Sequence, residues 1–208
     1  MHKNNARFLQ NPEAYLRSTA IECYNIKADA LKTAMTKVGE SSTSTTVNSI
    51  LEFDLVPQTG NYVSLVILGA IGAYAATKRK GQPIVAAWMP YLGQISNPDE
   101  SKIGRINLTT VPAQVKFVFS AGLGGCNFVA QQDGVSKILY HEPTAAAWQG
   151  ANPNYNGRLL IKAGPAYRDD HNEVGGFGMA MRHGGGWRLL FQLVNGVTVV
   201  DVTHFDIP

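Results

Sequence analysis

The stretch FGMAMRHGGGWRLLFQLVNGVTVVDVTHF (residues 177–205) contains three short apolar runs separated by glycine-containing breaks. Runs of this length and spacing are typical of β-strands, and we interpret HGGG (183–186) as a hairpin turn. A phosphate-binding glycine loop would need a lysine and a strand–loop–helix context, which the stretch lacks. His183 is therefore predicted to be a turn residue, and His204, which alternates with apolar residues, a partly buried strand residue.

Runs of the same kind begin at residue 50, with Gly, Pro, Asn and Asp between them. They are ILEFDLV (50–56), YVSLVIL (62–68), AYAAT (73–77), PIVAAWM (83–89), AQVKFVFS (113–120), CNFVAQ (126–131), VSKILYH (135–141) and GRLLIKA (157–163). Closely spaced short strands are typical of sandwiches and mixed sheets. We therefore predict a β-rich α/β fold, in which mixed β-sheets pack as a sandwich with flanking helices.

Residues 11–39 are predicted to form an N-terminal helix, with Asn11 as its cap and Pro12 at its first position. Apolar residues recur there at three- and four-residue spacing, at Leu16, Ala20, Cys23, Ile26, Ala30 and Leu31. Cys23 is therefore predicted to lie in the core. Because a polar Ser/Thr linker follows, we predict one domain over residues 1–208 with an N-terminal helical segment at 1–40.

The composition limits the classes of partner. Of the 208 residues, 45% are hydrophobic and 16% are charged, which suits one domain with a substantial core. The formal net charge is +3, and the tight basic run at 78–80 is too short for the broad basic stripe of a nucleic-acid-binding protein. We predict no nucleic-acid partner. The two cysteines are too few for a disulfide scaffold and fit two thiols.

No cleavable signal peptide is predicted, because residues 1–16 contain no apolar run; export by a dedicated secretion machine would need none. The nearly uncharged stretch YVSLVILGAIGAYAAT (62–77) is shorter than the roughly 20 residues of a spanning helix. We predict two buried strands with a turn near GAIG (69–72), in preference to a membrane-inserting hairpin. No stable membrane span is therefore expected.

The segment FSAGLGGCNFVAQQDGVSKILYHEP (119–143) carries a candidate active site. Asp133 and Gly134 are a strong two-residue hairpin signal. If they form the loop, Cys126 lies directly opposite His141, with Cβ atoms about 4.5–5.5 Å apart. That separation would let the thiol reach an imidazole nitrogen.

Other hairpin registers have different consequences. A four-residue loop at 131–134 would place Cys126 opposite Leu139 and make His141 a diagonal neighbour. A loop of odd length would place the cysteine and the histidine on opposite faces of the sheet. In that case, or if Cys126 is simply a small buried residue beside a turn, the segment carries no active site.

A thiol beside an imidazole becomes a nucleophile when the imidazole takes its proton. Gly122, Gly124 and Gly125 precede Cys126 and would let the backbone turn sharply with its N–H groups exposed. We therefore predict an oxyanion hole formed by the backbone N–H groups of Gly125 and Cys126.

These residues resemble those of the Cys–His glutamine deamidase toxins, a family that includes the cytotoxic necrotizing factors and the Burkholderia lethal factor. The family's mark is a Leu-Ser-Gly-Cys motif with a histidine on the following strand, and LGGC (123–126) and His141 correspond to it. Ser120 stands where the lethal factor has a threonine. ILEFD (50–54) and IVAAWMPYLGQ (84–94) are similar to segments that precede its motif.

The resemblance extends over roughly residues 48–145. The motif serine is Gly124 here, so the contacts of that hydroxyl are missing and the substrate preference is open. The interval from Cys126 to His141 is longer than in the lethal factor and closer to that of the necrotizing factors.

The resemblance implies packed mixed sheets with flanking helices and a bacterial toxin or effector that hydrolyses a glutamine side-chain amide of a host protein. The family's targets are Rho-type GTPases or a translation-initiation RNA helicase. We expect Cys126 as nucleophile and His141 as base, with Ser120 or a backbone carbonyl orienting the imidazole. We also expect no cofactor, a monomer, and secretion or injection into the host cell cytoplasm.

Two alternatives stay open. Another cysteine hydrolase, such as a peptidase or transglutaminase, would use the same pair, although peptidase nucleophiles often begin a helix whereas Cys126 begins a strand. A degenerate binding domain would fit the loss of the motif serine at position 124. Residues 168–173 (RDDHNE) contain metal-ligand types but no second histidine at ligand spacing, so we predict no metal site. Substrate choice is expected to depend on residues 96–104 and 145–157.

Overall fold

The computed structural model describes residues 3–23, 50–72, 75, 81–89, 104–122, 126–142, 158–161, 168–169, 172–173 and 175–207. These residues form two helices and fourteen strands. The elements are α1 (Lys3–Gln10), α2 (Pro12–Ser18), β1 (Ala20–Glu22), β2 (Ile50–Pro57), β3 (Tyr62–Ala70), β4 (Ile84–Met89), β5 (Gly104–Asn107), β6 (Phe117–Ser120), β7 (Asn127–Asp133), β8 (Ser136–Glu142), β9 (Arg158–Ile161), β10 (Arg168–Asp169), β11 (Asn172–Glu173), β12 (Gly175–His183), β13 (Gly186–Asn195) and β14 (Thr198–Ile207).

The strands form a large sheet in the order β1-β3-β2-β4-β6-β12-β13-β14, a small sheet in the order β5-β8-β7-β9, and the separate pair β10-β11. The large sheet is mixed, because β1 runs parallel to β3 and β4 runs parallel to β6, while its other neighbours are antiparallel. The predicted hairpin at HGGG is confirmed. Gly184 and Gly185 have φ angles of 55° and 82° there, a conformation that glycine adopts without steric cost. His183 ends β12, exposed beside this turn.

The large sheet lies between the helices and the small sheet, so its strands send alternate side chains to two cores. In β6, Val118 belongs to the core shared with the small sheet, whereas Phe117 and Phe119 belong to the core shared with the helices. Phe8 of α1 packs on Phe117 with ring centroids 5.2 Å apart, and burial of such a side chain contributes about 1.5–3 kcal/mol. The predicted β-rich α/β fold, with mixed sheets packed as a sandwich and an N-terminal helix, is confirmed.

The core between the two sheets places the candidate site. It contains Ala87, Met89, Val118, Ala180, Leu189 and Phe191 from the large sheet and Ile106, Phe128, Ala130, Leu139 and Ile161 from the small sheet. Cys126 belongs to the same core. The site residues therefore lie in the interior between two sheets.

The N-terminal helical prediction is partly wrong. Asn11 caps α2 as expected, since its Oδ1 accepts a hydrogen bond from the backbone N–H of Ala14 at 3.0 Å. The helix ends at Ser18, however, and β1 follows, because this segment gains a parallel partner in β3. Cys23 is buried at 2% exposure, which confirms its predicted place in the core. Residues 24–49 lie outside the described part of the chain.

The side chain of Gln192 in β13 holds the end of α2 and the start of β1. Its amide nitrogen donates to the carbonyls of Leu16 and Thr19, at 2.5 and 2.8 Å, and its amide oxygen accepts from the N–H of Ile21 at 2.9 Å. Gln192 is fully buried. A residue more than 170 positions away thus fixes where the N-terminal helix stops.

Other predictions have mixed outcomes. Strand β3 and the turn at residues 71–72 match the first half of the predicted pair at 62–77, while most of the second strand and the basic run at 78–80 lie outside the described residues. Among the described helices, none is long and apolar enough to cross a membrane. His204 lies in β14, with its side chain 46% exposed and 3.8 Å from Glu13. The segment 168–173 contributes β10 and β11, but residues 170 and 171 are not described.

Candidate active site

Ser120 lies where two parallel strands of the large sheet end together. It is the last residue of β6, and it pairs in register with Met89, the last residue of β4. Ser120 has the same parity in β6 as Val118, so it faces the small sheet. Its hydroxyl donates a hydrogen bond to the Met89 carbonyl at 3.1 Å and is 1% exposed.

His141 reaches this point from β8 of the small sheet. Its Nδ1 lies 2.6 Å from Ser120 Oγ, and its ring is fully buried. A serine hydroxyl has a single hydrogen, and here that hydrogen goes to the Met89 carbonyl, which can only accept. With the serine hydrogen placed on the Met89 carbonyl, we assign the imidazole as the donor, through its Nδ1–H, to Ser120 Oγ. This hydrogen-bond network assigns the tautomer in which Nε2 carries the lone pair, as a general base requires.

Burial lowers the pKa of His141 to about 3, because the protonated ring loses its hydration in the interior. The imidazole is therefore neutral at physiological pH. A neutral ring can accept a proton, but a lasting imidazolium would need an adjacent negative charge. Any proton transfer to this ring would therefore have to accompany the development of negative charge nearby.

The predicted register of the β7–β8 hairpin is wrong. Phe128, and not Cys126, pairs with His141, and Asp133 pairs with Ser136 around a two-residue loop at 134–135. Gly134 has a φ of 56° and occupies the first loop position, the position that needs a positive φ in a type II′ turn. A loop made of Asp133 and Gly134 would have needed a type I′ turn, with a positive φ at the aspartate as well.

The shift in register moves Cys126 along the strand but keeps its face. Cys126 precedes β7 by one residue and lies two residues before Phe128, so strand alternation directs both toward the same interior. Both belong to the core between the sheets. Cys126 is thus a diagonal neighbour of His141, and such neighbours lie about 7–8 Å apart between Cα atoms. The two residues therefore share a face without being directly opposed.

Phe128 holds the imidazole from the neighbouring strand. Its ring centroid lies 5.4 Å from that of His141, with an interplanar angle of 39°. On the other side of β8, Gly104 of β5 pairs with His141. Because the ring is flanked by Phe128 and bonded to Ser120, its orientation is fixed before any substrate arrives.

Of the three candidate residues, Cys126 is the one that solvent reaches most. Cys126 is 8% exposed, whereas Ser120 is 1% exposed and His141 is fully buried. Gly125, the second predicted contributor to the oxyanion hole, lies in the undescribed segment 123–125, as does Gly124. The structure therefore brings Ser120 and His141 together, places Cys126 on their face, and leaves the oxyanion hole a prediction.

A buried polar pair was missed by the sequence analysis. Asn127 Nδ2 donates to Glu142 Oε2 at 2.9 Å, and both side chains are fully buried. Asn127 follows Cys126 and Glu142 follows His141, so the pair bridges β7 and β8 on the opposite face from the candidate site. The correct register would have revealed it, because it places these two polar residues directly opposite each other.

Burial raises the pKa of Glu142, and the hydrogen bond from Asn127 opposes that rise. Glu142 Oε1 is buried and forms no hydrogen bond with the described residues. Within the described part of the chain, no group of three or more His, Cys, Asp or Glu residues is arranged to hold a metal ion.

The sequence comparisons found no relative of the chain. No protein-family model matches the chain, and no curated protein matches it.

Proposed function

We propose that the protein is a Cys–His hydrolase that deamidates a glutamine side chain of another protein. The observation that carries the proposal is the hydrogen-bonded series from His141 Nδ1 through Ser120 Oγ to the Met89 carbonyl. This series supports a neutral imidazole with its Nε2 lone pair available. A core histidine needs no such tautomer, whereas a general base does.

In the proposed reaction, Cys126 Sγ attacks the carboxamide carbon while His141 Nε2 takes the thiol proton. The tetrahedral oxyanion is stabilised by backbone N–H groups at Gly125 and Cys126. His141 then returns the proton to the leaving nitrogen, the C–N bond breaks, and ammonia departs. Water, deprotonated by His141, hydrolyses the thioester, which yields glutamate and restores the thiol.

The low pKa of His141 is consistent with this sequence of steps. At rest the ring is neutral and the sulfur keeps its proton, so no buried ion pair has to be maintained. The imidazolium forms only while negative charge develops on the substrate oxygen. Ser120 stabilises that imidazolium by accepting the Nδ1–H bond.

The burial of the site favours a slender substrate. With Ser120 and His141 almost inaccessible and Cys126 only slightly exposed, a side-chain carboxamide at the end of two methylenes reaches the sulfur more easily than a folded main chain does. This consideration favours a deamidase over a peptidase. Capture of the thioester by a primary amine, which is transglutamination, is a variant of the same mechanism.

By resemblance, the proposed substrate is a host Rho-type GTPase or a translation-initiation RNA helicase, and the protein acts as a toxin or effector that is secreted or injected into the host cell cytoplasm. The substitution at Gly124 makes the target the least constrained part of the proposal. A domain that binds such a protein without modifying it is the second candidate. The complete burial of His141 favours that candidate.

The test is mass spectrometry of host-cell proteins after incubation with the purified protein. We expect a gain of about 1 Da at a specific glutamine, since the amide nitrogen is replaced by oxygen, together with released ammonia. Cys126→Ala and His141→Ala should abolish both signals. Cys23→Ala is the matched control, because it removes the other buried cysteine from the opposite core.

Two outcomes would count against the deamidase. Unchanged glutamine modification by Cys126→Ala would exclude the thiol as nucleophile. Stable capture of a host protein without any mass change, retained by Cys126→Ala, would favour the binding domain. A mass gain equal to an added primary amine, less ammonia, would identify the transglutaminase variant.

A further inference from the structure

A cleft of about 280 Å³ lies between α1 and the β2–β3 connection, beside the helix-covered face of the large sheet. It is thus separated from the candidate active site by the large sheet. Its lining includes Lys3, Asn4, Arg7, Thr19, Asn61 and Tyr62. The size matches the lower end of small-molecule sites, which start at about 300 Å³.

The part of the cleft that the structure describes is lined by two cationic side chains, Lys3 and Arg7. Lys3 and Arg7 are four residues apart in α1 and therefore project from one face of the helix. Among the described residues that line the cleft there is no Asp or Glu, and the first turn of α1 contains no acidic residue. Among the described residues, neither cation forms an ion pair. An anion in the cleft would therefore meet two positive charges.

The carboxylates that are close in sequence are bound elsewhere. Glu13 of α2 forms an ion pair with Arg17 at 3.0 Å. Glu22 of β1 accepts a hydrogen bond from the Ser64 hydroxyl at 3.0 Å. Neither carboxylate lines the cleft. The positive charge of the cleft is therefore not neutralised by these neighbours.

The walls of the cleft are held in place. The guanidinium carbon of Arg7 lies 5.4 Å from the centre of the Tyr15 ring, a cation–π contact that restricts the side chain. The turn on the opposite wall is fixed by backbone hydrogen bonds from Ala20 N–H to the Asn61 carbonyl and from Gln58 N–H to the Tyr62 carbonyl, both 2.9 Å. A ligand would therefore bind with little reorganisation.

We propose that this cleft binds a phosphate group. The planar guanidinium of Arg7 offers two parallel N–H donors to phosphate oxygens, and the ammonium of Lys3 adds a point charge. Asn4 and Asn61 line the same cleft, and an asparagine side-chain amide can supply neutral donors. A doubly charged phosphate matches the two cations better than a single carboxylate does. This site is independent of the proposed deamidase chemistry.

The experiment is a titration of the isotope-labelled protein with inorganic phosphate, followed by amide NMR at ionic strength held constant with sodium chloride. We expect saturable shifts confined to α1, Thr19 and the turn at 60–62, with a dissociation constant on the order of millimolar. Arg7→Gln and Lys3→Gln should each weaken binding by about tenfold, and the double variant should abolish saturation. Arg7→Lys keeps the charge but loses the two parallel N–H donors of the guanidinium, so its affinity for phosphate should be intermediate.

Arg17→Gln is the matched control, because it removes an exposed helical arginine outside the cleft. It should bind phosphate like the wild type. The amide spectrum of each variant without phosphate verifies its fold. Shifts that do not saturate, or that the double variant retains, would overturn the proposal.

A soluble phosphate ester and a lipid headgroup both carry the phosphate group that the cleft is proposed to bind. Phosphoserine and vesicles of phosphatidylcholine with phosphatidic acid distinguish these sources. Saturable binding of phosphoserine without sedimentation on the vesicles assigns a soluble ligand. Sedimentation that requires both phosphatidic acid and Arg7 assigns a headgroup, and binding of neither would overturn the proposal.

Discussion

Replacement of Ser120 with alanine removes the hydroxyl that links the imidazole of His141 to the carbonyl of Met89. Both groups are buried in the core between the two sheets. A buried polar group without a partner costs about 1–3 kcal/mol, so Ser120→Ala should lower the free energy of unfolding by about 2–4 kcal/mol. A domain with a stability of about 5–15 kcal/mol remains folded after that loss.

Ser120→Ala should also slow the proposed reaction, because it changes which imidazole nitrogen of His141 carries the proton. Without Ser120 as acceptor, the His141 proton is free to move to Nε2, which removes the lone pair that takes the thiol proton. Since a positioned general base contributes about 10²–10⁴-fold, deamidation should fall within that range. Loss of packing alone would not change the tautomer.

Two measurements separate these effects. Urea unfolding gives the change in stability, and ¹⁵N NMR of the imidazole identifies which nitrogen of His141 carries the proton. Ser120→Thr keeps the hydroxyl and should keep the Nδ1–H tautomer. Ser136→Ala removes a half-buried hydroxyl that accepts a 3.4 Å hydrogen bond from Asn107, and it should change stability by less than about 1 kcal/mol. An Nε2–H tautomer in the wild type would refute the assignment of the hydrogen-bond network.

Three further predictions concern stability measured by urea unfolding. The pKa of His141 is about 3 in the folded state and near 6.5 in the unfolded state, so the unfolded chain binds a proton first as the pH falls. The free energy of unfolding that is present above about pH 6.5 should therefore decrease by up to about 1.4 kcal/mol per pH unit below it. His141→Gln should flatten this profile, and an unchanged profile would contradict the burial argument. Gln192→Ala leaves three backbone groups without partners and should cost about 2–5 kcal/mol; a cost below about 1 kcal/mol would show that β1 is held without it. Gly134→Ala meets no atom within 4 Å, so its cost of about 1 kcal/mol should come from the positive φ alone, and a neutral result would place the turn elsewhere.

The strands and turns with local causes were predictable from sequence. The hairpin at 183–186 needs residues with positive φ, and consecutive glycines identify it without knowledge of the rest of the chain. The alternation of β6 side chains between the two cores likewise follows only from the two faces of a strand. The sandwich class follows from these local signals together.

The register of the candidate site was less predictable, because the DG pair identifies a turn but not which loop position the glycine takes. Gly134 takes the first position, and the pairing shifts by two residues. A shift of two preserves the face, so Cys126 and His141 still share the interior. The predicted separation of Cys126 and His141 was wrong because of this shift, whereas their predicted position on a common face was right.

The end of α2 and the polar pair of Asn127 and Glu142 depend on distant residues. Helical spacing continues past Ser18, but the backbone of Thr19 to Ile21 gains partners from β3 and from Gln192. No local pattern contains that information. The contacts that stop this helix therefore appear only when both ends of the chain have come together.

The parallel pairing of β4 with β6 has a consequence for the order of folding. Strands β1 to β4 come from residues 20–89 and strands β6 and β12 to β14 come from residues 117–207, and the two groups meet in the large sheet through four register pairs. The hydrogen bond from Ser120 to Met89 lies at the last of these pairs. Because the hydrogen bond from Ser120 to Met89 needs both groups, we expect the imidazole to become oriented only once they have paired, and its protonated nitrogen to report that long-range pairing.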